Sequence, residues 1–107
     1  MEFINKAEVQ GYVGSISTHI IQDKTIFNFA LATERVYKST DGSAFVETTW
    51  HNCEGFSGEK VSAEDIAKLQ KGTAVNVKGR IRRLEHTSAD GERITRYSIY
   101  VEELSIL

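Results

Sequence analysis

Between Phe27 and Phe56 the sequence alternates with a period of two on both sides of a single Asp41-Gly42 pair. Phe27, Phe29 and Leu31 fall on one side of the first run, and Asn28, Ala30 and Ala32 on the other. A period of two places such sets on opposite faces of a strand, so the Phe/Phe/Leu face is expected to be core. The second run sets Thr48, Trp50, Asn52 and Glu54 against His51, Cys53 and Gly55. Trp50 thus shares a face with polar residues. A large aromatic in that company is a candidate platform for a flat ligand.

The other segments continue the pattern. Asn5 to Ser17 reads as a first strand, and Gly11 and Gly14 within it suggest a bend or bulge. His19 to Lys24 reads as a connection, and Thr25 to Arg35 as the second strand. Asp41-Gly42 tolerates the positive φ of a hairpin turn and leads into a third strand, Phe45 to Phe56. Ser62 can cap a short helix, with Glu64 and Asp65 at its positive end, Ile66 and Leu69 as its apolar stripe, and Gly72 as its stop. Ala74 to Leu84 is the fourth strand, with Val75, Val77, Gly79 and Ile81 inward and Asn76, Lys78, Arg80 and Arg82 outward. Asp90-Gly91 turns into the fifth, Ile94 to Leu104. The expected class is all-β: a five-stranded barrel with one helix between strands 3 and 4, the layout of the oligonucleotide/oligosaccharide-binding barrel.

Composition narrows the function. A chain of 107 residues suits one small domain, residues 1–107, that buries roughly 60–70% of its unfolded surface without staples. A lone Cys53 forms no internal disulfide, and Met1-Glu2-Phe3 lacks the basic and apolar regions of a signal peptide. No apolar run approaches the roughly 20 residues of a membrane span. The reading is soluble and cytoplasmic, with no membrane partner. The net charge of −2 hides an asymmetry. From Lys71 to Tyr100 seven cations face three anions, a net +4, so the remainder is −6. A basic segment on an acidic body is what groove binding of a polyanion requires.

The segment N-F-A-L-A-T-E-R-V-Y-K (Asn28 to Lys38), the D-G turn and T-T-W-H-N-C-E-G-F (Thr48 to Phe56) resemble the bacterial single-stranded-DNA-binding proteins. That family carries N-F-S-L-A-T, an aromatic, a D-G turn, T-E-W-H and a Phe six residues past the Trp. The likeness resumes at K-G-T-A-V-N-V-K-G-R-I-R (Lys71 to Arg82) and covers most of Asn5 to about Val101. It implies the same barrel and a role in replication, recombination or repair. Trp50 and Phe56 match two of the family's stacking aromatics, Tyr37 stands where the family places a Trp, and His86 stands where many members have another Trp. His51 matches a histidine at a subunit interface, which implies a homo-oligomer, a tetramer or a dimer.

Bases stack on aromatics with little sequence preference, at roughly 1–3 kcal/mol per base. Phe56, at a strand end, suits core and platform equally; His86 also reads as a plain surface residue. Lys78, Arg80 and Arg82 form a ladder of cations at ~6.6 Å steps. Arg93 and Arg96 across the next turn would extend it, and Arg35 and Lys38 flank Tyr37. These seven are the candidate phosphate contacts; the alternative is a solvated strand face. His51-x-Cys53 lacks the paired spacing of a zinc site, and Gly55 to Lys60 lacks the spacing and ending of a phosphate loop. Nothing marks out a catalytic set, a metal, a cofactor or a small-molecule substrate. The expected partner is single-stranded DNA, bound without chemistry. RNA is equally compatible with stacking, and a thiol hydrolase on Cys53 is the remote enzyme alternative.

The family's usual glycine- or glutamine-rich linker with an acidic tip has no counterpart in Val101 to Leu107. Recruitment of enzymes through a tail is therefore not expected. The short length also resembles the primosomal single-strand-binding replication protein, a tailless dimeric barrel. That supplies a second reading: an assembly module that contacts proteins first and DNA second.

Overall fold

A computed structural model describes residues 1–107. The elements run β1 (Ala7–Ile21), β2 (Lys24–Lys38), β3 (Ala44–Phe56), α1 (Ala63–Lys68), β4 (Ala74–Thr87) and β5 (Arg93–Ile106). The strands close into a barrel in the order β1-β2-β3-β5-β4. Every seam is antiparallel except β3–β5, which is parallel and pairs only Cys53 with Ile99 and Glu54 with Tyr100.

The expected alternation builds the core. Phe27, Phe29 and Leu31 point inward, with the two Phe ring centroids 5.8 Å apart, against Val13, Cys53, Val75, Val77, Ile99, Val101 and Leu104. One end of the barrel is plugged by the helix. The Ser62 hydroxyl accepts from the Asp65 N–H at 3.0 Å, as a cap should, and Ile66 and Leu69 are buried beneath. The helix stops at Lys68, and Gly72 follows in a left-handed turn at φ 95° rather than at the helix end itself.

Two expectations change. His19 to Lys24 is not a loop: β1 runs on to Ile21 and turns at Gln22 and Asp23, whose φ values are 47° and 68°. Without glycine or proline that turn carries no strong signal, and the β-branched Thr18, Ile20 and Ile21 favour strand. Ile81 does not face the core; it is 49% exposed. β4 and β5 outrun the barrel and pair onward to Thr87 and Arg93 as a free hairpin arm, so inward alternation no longer means burial there. β2 and β3 form a similar arm ending at Lys38 and Ala44. Gly14 lies in a bulge of β1, where the register shifts between Val13 and Ile16. No helix is long and apolar enough to cross a membrane.

Candidate nucleic-acid interface

β2 and β3 pair without a register break, so residues on each strand separate by parity. Even-numbered side chains of β3 point out of the barrel. The parallel pairing of Glu54 with Tyr100 carries that outer face onto β5, and the pairing of Tyr100 with Arg80 carries it onto β4. One curved surface therefore holds Trp50, Glu54 and Phe56 from β3, Arg96, Ser98 and Tyr100 from β5, and Arg80 and Arg82 from β4.

Trp50 is 59% exposed. Its indole reaches across β2, opposite Ala32, and lies over Gly14 of β1. A Cβ at Gly14 would come within 2.6 Å of the indole Cζ3. The indole therefore lies where the neighbouring strands carry almost no side chain, and more than half of the residue is left to solvent. Phe56 is also exposed. It meets Tyr100 edge-on at 5.9 Å and carries the Lys24 ammonium 4.5 Å above its ring. The Arg80 and Arg82 guanidinium carbons lie 4.5 and 4.6 Å from the centre of the Tyr100 ring, a cation–π arrangement that keeps both stems over the surface.

Tyr37 takes the opposite pleat of the β2–β3 arm. It stacks on Phe45 at 5.3 Å and 24°, with the Arg35 guanidinium 5.4 Å away and its hydroxyl donating to Glu47 at 3.4 Å. Lys38 is exposed at the tip of that arm. His86 is exposed on the β4–β5 arm and shares a strand face with Arg82. Arg96 joins the outer face; Arg93 lies at the arm's end on the other pleat. His51 is half-buried, with Nε2 2.9 Å from the Thr33 hydroxyl.

The cation ladder is present, but it is not free. Arg80 donates to Glu102 at 2.9 Å and Arg82 to Glu54 at 2.7 Å, while Arg96 lies 3.5 Å from the same Glu54 carboxylate. Lys78 stands in register between Glu8 on β1 and Glu103 on β5. Barrel closure brings acidic strands against the basic one, which counting charges along the sequence does not reveal. Gly14, Ala32, Glu54 and Tyr100 are the members of this surface that sequence reasoning missed. Ala32 and Glu54 were visible as residues sharing the outer alternation, but only the strand pairing gives them a function beside Trp50 and the arginines.

Cys53 is buried inside the barrel, and burial pushes its thiol up to about 12. The thiolate is the nucleophile, so this position is inert near neutrality. Native protein should leave Cys53 unlabelled by a thiol reagent at pH 7–8 over the time in which urea-unfolded chain reacts fully. Because the folded value is raised, the native thiol resists ionisation that the unfolded one undergoes. The associated stability is therefore complete below about pH 9 and is lost as pH climbs toward about 12.

A closed five-stranded barrel with a helix between the third and fourth strands, and an aromatic and basic outer face, defines an oligonucleotide/oligosaccharide-binding barrel. The model of the single-strand binding protein family matches residues 4–107, and the chain belongs to that family. Single-stranded DNA-binding proteins from a serogroup A and a serogroup B strain of Neisseria meningitidis are each 29% identical to it over 84 residues, 78% of this chain and 47% of theirs. The chain spans about half the length of the curated relatives it matches. A solved Plasmodium falciparum single-strand-binding protein in complex with single-stranded DNA superposes with a TM-score of 0.82. The alignment covers 100% of this chain and 97% of that one at 20% identity, a likeness of fold.

Proposed function

We propose that the chain binds single-stranded DNA with little sequence preference and without chemistry, keeping the strand unpaired during replication, recombination or repair in the cytoplasm. Trp50, Phe56 and Tyr37 stack bases, with His86 as a weaker fourth site. Arg80, Arg82, Arg96 and Lys78 contact phosphates on the outer face, and Arg35, Lys38 and Arg93 do so from the arms. The observation that carries this reading is the Trp50 indole lying open beside glycine and alanine, on the same barrel face as three arginines, in a member of a family named for single-strand binding.

Anisotropy of a labelled thymidine oligonucleotide tests it. Single-strand affinity should fall with salt at roughly 0.7 in the log–log slope per phosphate contacted, giving about −2 to −3 where three or four of the seven cations each meet a phosphate and about −5 where all do. A duplex of equal length offers no unstacked bases and should bind more weakly. Equal binding of duplex and single strand, or salt-insensitive binding, would contradict the proposal. RNA of matched sequence, run alongside, reports whether the 2′-hydroxyl matters.

The same reading includes self-association as a dimer or tetramer. His51 borders a groove it shares with Ile81, Tyr97 and Trp50, and Tyr97 is 63% exposed. A second copy seated on Ile81 and Tyr97 would cover apolar surface at that end and leave the Trp50 end to the strand. Sedimentation should show a species larger than one chain, and Tyr97→Glu should shift it toward the monomer; an unassociated parent protein would remove this part of the account.

A further inference from the structure

We infer that Glu54 is a built-in competitor for the nucleic-acid backbone: its carboxylate occupies the Arg82–Arg96 pair that a phosphate of the bound strand would take. The inference rests on the single-strand-binding reading above and concerns the same surface.

Glu54 sits at the centre of the outer face, four residues from Trp50 and two from Phe56 on the same pleat of β3. One carboxylate oxygen receives Arg82 Nη2 at 2.7 Å and the Ser98 hydroxyl at 3.0 Å; the other lies 3.5 Å from Arg96 Nη2. Two guanidinium groups and a hydroxyl converging on two oxygens is the donor set that binds a phosphate. The glutamate side chain is only 19% exposed, so the contact is better shielded than an ordinary surface pair. The shield is incomplete. Arg82 Nε is buried with no partner, and Arg96 is held by a 3.5 Å ion pair without a hydrogen bond. A ligand that rotates Arg96 outward gives up little besides the carboxylate, whereas rotating Arg82 also gives up its seat on the Tyr100 ring. A bound phosphate must displace Glu54 or lie beside it, and like charges at that range repel. Glu54 therefore lowers affinity and withholds part of the salt dependence the arginines would otherwise supply.

Glu54→Gln removes the charge while keeping an oxygen for Arg82 and Ser98. Affinity for a labelled thymidine oligonucleotide should rise at least about fivefold at low salt, and the gain should vanish near 1 M salt, where the screening length is about 3 Å. The log–log salt slope should steepen by roughly 0.7–1.4, one or two more phosphates neutralised. Arg96→Gln gives a second readout. It should cost less than about twofold in the parent, where Glu54 holds the arginine, and about fivefold in the Glu54→Gln background. Unchanged or weaker binding by Glu54→Gln, a gain that survives high salt, or an equal cost of Arg96→Gln in both backgrounds would overturn the inference. The weaker-binding outcome would assign Glu54 to holding the arginines upright instead. If the parent binds and Glu54→Gln gains nothing, this inference alone fails; if neither protein binds, the single-strand reading fails with it. Melting curves of both variants separate these outcomes from a loss of fold.

Discussion

Trp50→Ala lowers affinity for a thymidine oligonucleotide by roughly 5- to 150-fold, the equivalent of one base stack at ~1–3 kcal/mol. The indole makes few commitments to the barrel. It is more than half exposed, hydrogen-bonds no neighbour, and rests on Gly14 across a strand that offers only Ala32 at its level. Its removal should therefore move the melting temperature by a few degrees at most, and the affinity loss reports binding rather than unfolding. Gly14→Val should produce a milder version of the same loss. A side chain at Gly14 would press into the indole from below, and the ring would have to leave its seat. If Gly14→Val binds normally, the seat is not what orients Trp50.

Gly79→Ala should be, with Gly11→Ala, one of the two most damaging single-methyl changes in the chain, since a Cβ at either meets a backbone carbonyl at 2.0 Å or less. A Cβ there would stand 1.8 Å from the Tyr100 carbonyl oxygen and 3.3 Å from the Glu102 N–H nitrogen, both backbone atoms of the paired strand. Neither can rotate away as a side chain could. The position also adjoins the bulge where β4–β5 pairing shifts register between Lys78 and Gly79, so relief would require reopening that ladder. Overpacking a core costs about 1–3 kcal/mol when side chains can adjust, and a backbone clash belongs at or above the top of that range. At ~3 kcal/mol the melting temperature of a domain this size drops by roughly 10–20 °C. Thermal unfolding followed by far-UV circular dichroism measures it; a drop under about 3 °C would mean that the strands separate there without cost.

Much of the fold was legible because its two strongest signals are local. Phe27, Phe29 and Leu31 announce a core face by period alone, and Asp41-Gly42 and Asp90-Gly91 announce turns by the φ they permit; both glycines sit at positive φ. Ser62 likewise capped its helix as its side chain required. The turn at Gln22-Asp23 carried no such residue, so a continuous hairpin read as a loop. Ile81 read as core because alternation gives the face of a strand but not how far the barrel extends along it.

Trp50 was legible at the site as an aromatic in a polar row. What surrounds it was not. Gly14 and Trp50 are brought together by the β1–β2 and β2–β3 registers, and Glu54, Tyr100 and Arg82 by one short parallel seam and one antiparallel one. Charge summed over Lys71 to Tyr100 suggested an open cationic stripe. Glu8, Glu54, Glu102 and Glu103 lie outside that window, and the barrel folds them against it. Long-range pairing, invisible to a sliding count, decides how many of those cations a phosphate finds unoccupied.

Trp50 is the sole tryptophan, so its emission reports this one patch of surface. Titration of the unmodified protein with a long thymidine oligonucleotide at low salt should quench that emission to saturation, and added salt should restore it. Emission that stays constant while a labelled strand is demonstrably bound would put the nucleic acid on another face, and the account given for this one would be wrong.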